Sequence, residues 1–166
     1  LDAANIISQK NPSLNFVILF VGDEDGKKSF SKKLEQKVKK LKLTNRIIFS
    51  GNLSDMPAVY SIADIVLSTS IEPEAFGRIS AEASSMTKPI ISSNHGGSRE
   101  IIENGMTCWL IEPSNSEMLA DKIQEVLGLP QEKKDTIGMN ARRRVVEKFC
   151  LNEMLKKTMS VYEYLL

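Results

Sequence analysis

The sequence predicts an α/β fold built on a doubly wound parallel sheet, with helices on both faces and a helical C-terminal tail. Short apolar runs rich in β-branched residues recur along the chain, as expected of strands buried on both faces. Between them lie longer stretches with apolar residues three and four apart, as expected of helices. The two kinds alternate, joined by three- to eight-residue connections containing Gly, Asn, Asp and Ser. Such alternation is the mark of crossover units in a parallel sheet, a Rossmann-like arrangement.

The strand candidates are Phe16 through Val21, Ile47-Ile48-Phe49, Ile65-Val66-Leu67, Pro89-Ile90-Ile91 and Cys108-Trp109-Leu110-Ile111. Leu1, Ala4, Ile6 and Ile7 give the chain a helical start. Phe30, Leu34, Val38 and Leu41 place a second helix, and the lysines between Lys32 and Lys42 read as its solvated face. Ser54, ahead of Asp55-Met56-Pro57, reads as an N-cap with proline in the first turn. Ser114 or Ser116 would cap the helix beginning near Glu117, whose apolar stripe is Met118, Leu119, Ile123, Val126 and Leu127. After Gly128 and Pro130 the pattern is helical to the end, through Met139, Val145, Val146, Phe149, Leu155, Met159, Tyr162 and Leu165. Trp109, inside an apolar run, reads as core.

At 166 residues the chain fits one domain able to bury a core without disulfides or metal. With 42% hydrophobic and 26% charged residues it is neither disordered nor collagen-like. Its 22 basic and 21 acidic residues leave a formal charge of +1, so nothing draws it onto nucleic acid and any anion site must be local. Cys108 and Cys150 have no second sulfur or histidine at metal spacing, so reduced, inert thiols are expected. No apolar run reaches the ~18 residues of a membrane span, and no signal-peptide layout opens the chain, which points to a cytoplasmic location. The helical pattern already under way at Leu1 reads as part of a longer protein.

In open parallel sheets ligands bind beyond the carboxyl ends of the strands. The loops there are Gly22-Asp23-Glu24-Asp25-Gly26, Ser50-Gly51-Asn52, the stretch from Ser68 to Gly77, and Ser92-Ser93-Asn94-His95-Gly96-Gly97. The glycines they contain permit close backbone approach to a ligand. Glu72-Pro73-Glu74-Ala75-Phe76-Gly77-Arg78 leads into a helix whose apolar stripe is Ile79, Ala83 and Met86. Glu82 falls on that stripe, and a partly desolvated carboxylate needs hydrogen-bond donors. Sugar or ribose hydroxyls, backbone amides or an arginine would serve equally. Glu74 can face the same crevice from the loop, and the amides of Gly77, Arg78 and Ile79 open the helix where a phosphate is favoured. Carboxylates beside a phosphate cradle suit a nucleotide sugar, although a purely structural Glu82 fits the same spacing.

The segment from Glu74 to Ala83, then Lys88-Pro89-Ile90-Ile91 and Gly96-Gly97-Ser98-Arg99-Glu100-Ile101, resembles the glutamate-x7-glutamate region of family 4 GT-B glycosyltransferases. Val21-Gly22-Asp23, Ile48-Phe49-Ser50-Gly51, Ala63-Asp64-Ile65-Val66, Glu103-Asn104-Gly105 through Pro113 and the tail from Ala141-Arg142 to Tyr162 follow in the family's order. The resemblance implies that residues 1–166 are a single nucleotide-sugar-binding domain, the C-terminal half of a retaining hexosyltransferase of GT-B architecture. Glu74 would hold hydroxyls of the donor sugar and place the anomeric carbon. Phe76, Gly77, Arg78 and Ile79 would present backbone to the sugar and diphosphate, and Glu82 would take the ribose hydroxyls. Gly51 and Asn52 would lie near the base, with Gly22 on the crevice floor. No metal or other cofactor is implied, because protein cations and helix dipoles offset the leaving diphosphate. The acceptor, a polysaccharide or glycolipid such as a lipopolysaccharide precursor, would dock on an N-terminal domain, and the whole enzyme could sit peripherally on the inner face of a membrane.

Two departures stand out. The family's first strand and its arginine-and-lysine loop are not found ahead of Leu1, so a truncated chain, inactive alone, is expected. Thr87 stands where the family commonly ends this helix with glycine; a β-branched residue in a left-handed cap costs ~1 kcal/mol, so a different cap is expected. His95, the one histidine, reads as structural or solvent-facing rather than as a catalytic base. Glu72 reads as an exposed loop residue, and Arg78 could pair with phosphate or with an acid such as Glu74. Two other functions fit the same fold. A nucleotide-sugar epimerase would need more crevice acids and histidines than this chain offers; a non-catalytic binding module would need only the fold.

Overall fold

The structure is a computed structural model that describes residues 1–22 and 28–165. Along the chain lie α1 (Asp2–Lys10), β1 (Ile18–Val21), α2 (Lys28–Lys40), β2 (Ile47–Gly51), α3 (Met56–Ile62), β3 (Val66–Ser68) and α4 (Arg78–Ser85). There follow β4 (Ile90–Ser93), α5 (Ser98–Ile101), β5 (Trp109–Ile111), α6 (Ser116–Gly128), α7 (Gln131–Lys148) and α8 (Leu151–Leu165). Each expected strand is present, and every pairing is parallel. β1 pairs with β2 in one ladder, and β4 runs between β3 and β5 in another.

β4 shows why helices lie on both sides. Its side chains alternate, as any strand's must, and all four residues are buried. Ile91 joins Trp109 and Ile111 in a core that α1 and α6 close with Ala3, Ile7, Ala120, Ile123 and Val126. Ile90 joins Val66 and Cys108 in a second core, closed by Tyr60 of α3, Ala83 of α4, Ile101 of α5, and Ala141 and Val145 of α7. Burying isoleucine removes enough apolar surface from water to contribute about 2 kcal/mol on each side. Trp109 is thus core, as expected. The Cys108 thiol is pushed up to about 12 by burial, which keeps it protonated and unreactive. β2 departs from the expectation of strands buried on both faces. Ile47 enters a third core with Ala4, Val38 and Leu43, while Ile48 and Phe49 stay exposed, Phe49 packing on Phe20 with ring centroids 5.2 Å apart.

The helix caps correct three expectations. Asp55, not Ser54, caps α3, its carboxylate accepting from the Ala58 amide at 3.1 Å. Asn115, not Ser114 or Ser116, caps α6 by accepting from the Met118 amide at 2.9 Å. Asp and Asn rank with or above serine as caps, and each stands one residue before its helix. The third correction is Thr87. It adopts the left-handed conformation, φ +60°, that its branched side chain was expected to refuse. The reason is a complete Schellman closure. Lys88 donates to the Ala83 carbonyl at 3.0 Å and Thr87 donates to Ser84 at 3.0 Å, so orphan carbonyls of α4 are satisfied. The Thr87 hydroxyl also donates to the Met86 carbonyl at 2.6 Å. α7 packs on this corner through Gly138, where a Cβ would stand 2.1 Å from the Thr87 carbonyl oxygen.

The tail is helical as expected, broken at Phe149-Cys150. Helix α8 buries none of its residues; Leu155, Met159, Tyr162 and Leu165 are all exposed. No helix among the described residues is long and apolar enough to cross a membrane.

Candidate functional site

The carboxyl ends of β3 and β4 face the start of α4, and this is where most of the predicted site residues meet. Gly77 precedes the helix with φ +85°, a conformation that suits glycine and strains other residues. It is buried, and a Cβ there would lie 3.2 Å from Ser98 Oγ. Without a side chain it cannot cap, so the opening amides of Arg78, Ile79 and Ser80 receive no side-chain cap. Unpaired donors at a helix start carry the positive end of the dipole.

The Gly96-Gly97 pair has a more specific task than close approach to a ligand. A Cβ on Gly96 would stand 2.3 Å from the Glu74 carbonyl oxygen, and one on Gly97 would stand 2.1 Å from that of Phe76. These glycines let the loop after β4 lie directly against the loop before α4. The Gly97 amide donates to the Glu74 carbonyl at 2.9 Å. The Ser70 hydroxyl donates to Glu74 Oε1, and His95 Nε2 lies 2.9 Å from the Ser70 carbonyl oxygen. Beneath them Ser68, Ser80, Ser92 and Ser98 are buried. The Ser92 hydroxyl donates to Ser98 Oγ at 2.9 Å and receives a longer contact of 3.4 Å from Ser80. Buried hydroxyls bonded to each other tie β4, α4 and α5 together where the site begins.

Glu82 is engaged by the protein more than the sequence suggests. Tyr60 Oη donates to Oε2 at 2.9 Å, and Arg78 Nη2 donates to Oε1 at 3.1 Å. Burial first, then the adjacent carboxylate, pushes the Tyr60 phenol above the ordinary tyrosine value, so it remains a donor. Arg78 thus pairs with Glu82, one helical turn on, and not with Glu74. A carboxylate has room for about four hydrogen bonds, and the Glu82 side chain is 38% exposed. Acceptor capacity therefore remains open to solvent.

Phe76 and Ile79 are exposed at the helix start, the Phe76 ring set edge-on to Phe149 at 6.1 Å. Glu72 is exposed, as expected. Gly22 and Gly51 meet at the ends of β1 and β2, Gly22 donating to the Gly51 carbonyl at 3.0 Å. Both have positive φ, with nothing within 4 Å of a Cβ there among the described residues, and Asn52 beside them is exposed. The rest of the Gly22–Gly26 loop lies outside the described residues. Sequence reasoning missed Tyr60, which reads as one more apolar residue of α3, and the role of Ser70. It also missed the buried serines, which read as ordinary loop or helix polars. Among the described residues no three His, Cys, Asp or Glu side chains cluster as a metal site.

The family model described as Glycosyl transferases group 1 matches residues 1–144. A glycosyltransferase from Rickettsia africae superposes with a TM-score of 0.91 at 37% identity, over 98% of this chain and 42% of that one. Anabaena Alr3699/HepE, solved in complex with UDP-glucose, superposes with a TM-score of 0.84 at 31% identity, over 96% of this chain and 44% of that one. The capsular polysaccharide biosynthesis glycosyltransferase CapM of Staphylococcus aureus is 32% identical over 89 residues, 54% of this chain and 23% of its own length. The chain spans less than half of each of these relatives.

Proposed function

Because the chain belongs to the group 1 glycosyltransferase family, we propose that it is the donor-binding domain of an enzyme that transfers a hexosyl group from a nucleoside diphosphate with retention at the anomeric carbon. The observation that carries this is the uncapped start of α4 behind Gly77, with Glu74 in the loop ahead of it and Glu82 one turn into the helix. In this reading the amides of Gly77, Arg78 and Ile79 receive the diphosphate. Their dipole stabilises charge that grows as the glycosidic bond breaks. Glu74, its backbone held by Gly97 and its carboxylate by Ser70, accepts from sugar hydroxyls and fixes the anomeric carbon for attack. Glu82 uses its solvent-facing acceptor capacity for the ribose, while Phe76 borders the sugar. Gly22, Gly51 and Asn52 line the base side. No metal or cofactor takes part in this scheme.

The UDP-glucose complex of Anabaena HepE supports a nucleotide-sugar donor, and the capsular polysaccharide relative supports a polysaccharide acceptor. We place acceptor binding on the family's length that this chain does not span, with the whole enzyme cytoplasmic and peripheral to the membrane. The test is product analysis of the whole protein with a panel of nucleotide sugars, joined to calorimetry with UDP. Glu74→Gln should lower turnover by about 10²- to 10³-fold with UDP affinity kept. Glu82→Ala should weaken UDP about tenfold. Unchanged turnover in the first variant, or unchanged affinity in the second, would remove the role assigned here.

A further inference from the structure

The loop that carries Glu74 is held in an unusual way. After β3 ends at Ser68, residues 69–73 make no backbone-to-backbone hydrogen bond among the described residues outside the strand ladder. Nor does packing hold them, since Ile71 is 70% exposed and Glu72 and Pro73 are exposed too. A segment with neither ladder nor core is positioned by whatever polar bonds reach it. Ser70 makes two. Its carbonyl oxygen lies 2.9 Å from His95 Nε2, and its hydroxyl donates to Glu74 Oε1.

The two ring nitrogens of His95 stand in different situations. A carbonyl only accepts, so the bond to Ser70 requires the proton on Nε2. In the neutral ring Nδ1 is then a lone-pair acceptor, and it is buried with no partner among the described residues. An apolar ring of similar size would not incur the cost of that shut-off acceptor. What offsets it is the one bond the imidazole does make. Two residues on, Gly97 holds the Glu74 carbonyl at 2.9 Å. Residues 95–97 therefore grip both ends of the span from Ser70 to Glu74.

We propose that His95 is a positioning residue: through its Nε2–H bond to the Ser70 carbonyl it fixes the serine whose hydroxyl aims the Glu74 carboxylate. This rests on the reading of Glu74 as the group that meets the donor sugar. It assigns His95 no proton transfer. The imidazole works as a single donor at the reach of Nε2, so glutamine, whose amide nitrogen extends as far, replaces it, whereas asparagine is too short and phenylalanine has no donor.

The experiment uses the whole protein with UDP-glucose and three variants, His95→Phe, His95→Asn and His95→Gln, together with Ser70→Ala and the double variant His95→Phe/Ser70→Ala. The first two should lose about ten- to a hundredfold in kcat, with KM for the donor and calorimetric UDP affinity within twofold of the parent, and His95→Gln should recover most of the loss. The double variant should fall no further than the worse single one, since both changes cut the same link. Hydrogen exchange of the Gly97 amide, which is held on the Glu74 carbonyl, should quicken in His95→Phe and return to the parent rate in His95→Gln. Parental kcat in His95→Phe, no rescue by glutamine, or losses that multiply in the double variant would overturn the proposal. If the whole protein transfers no sugar while exchange responds as expected, the donor role of Glu74 falls and the positioning of the loop by His95 stands. If transfer proceeds while exchange is unmoved, the positioning falls alone.

Discussion

The two ends of α4 both pass through a left-handed residue, and they are built for opposite purposes. At the C-terminal end Thr87 closes the helix completely, with Lys88 and Thr87 amides returned to carbonyls of the last turn and α7 pressed against the corner through Gly138. At the N-terminal end Gly77 closes nothing, and the opening amides lack a side-chain cap. The branched residue sits where the last-turn carbonyls are satisfied; the residue without a side chain sits where donors are left for something else. Local strain is affordable at the first end because packing overdetermines it. An unfilled set of donors at the second is a cost that a bound anion would remove.

Four changes would break or sharpen that contrast. The largest effect is expected at the N-terminal end from Gly97→Ala, whose Cβ would stand 2.1 Å from the Phe76 carbonyl. The loop before α4 must move, and turnover should fall by about a hundredfold or more in a steady-state assay. Gly138→Ala drives a Cβ to 2.1 Å from the Thr87 carbonyl and should cost about 2 kcal/mol of unfolding free energy in a denaturant titration. Its UDP affinity should be unchanged, which separates the two ends.

Tyr60→Phe removes one donor from Glu82 and should cost about 1 kcal/mol of stability at neutral pH. The Tyr60 phenol is raised in the folded protein by burial and by the Glu82 carboxylate, so the native state holds that proton more tightly than the unfolded chain. Its contribution is full below the unfolded tyrosine value near pH 10 and is lost as pH rises toward the folded one. The phenylalanine variant should therefore show a shallower loss of stability above about pH 10. The smallest effect is expected from Thr87→Gly, which relieves left-handed strain but loosens the unfolded chain; a net gain of about 0.5 kcal/mol should appear as a slightly raised Tm.

The alternation of apolar runs made the strands legible, because burial on both faces leaves a continuous hydrophobic signature, as Ile90-Ile91 illustrates. The same signature misled at Ile48-Phe49, where a β-branched and aromatic pair lies half in water. Caps were misplaced by one residue because serine, asparagine and aspartate offer the backbone nearly the same acceptor, and neighbouring positions compete. Within the site, Glu74 and Glu82 were visible as carboxylates in odd surroundings. Of the donors that hold them, Arg78 was visible, though not as the partner of Glu82 in particular, and Tyr60 and Ser70 were not. Tyr60 lies 22 positions from Glu82 and His95 lies 25 from Ser70, and no spacing rule links residues brought together by a crossover. Gly96 and Gly97 were noticed for their freedom of backbone, yet what they approach, the neighbouring loop, became visible only in three dimensions.

The partition of β4 between two cores gives its register an unusual reach. Ile90 and Ile91 face opposite walls, and each wall has been filled by side chains cut to fit one of them. One residue inserted ahead of Ile90 would exchange the walls, turning every later side chain of the strand inside out as far as Ser93. Both interiors, and the Ser92 hydroxyl that secures the floor of the site, would be lost at a stroke, so tolerance to insertion in this domain should vanish at β4 sooner than at any substitution within it.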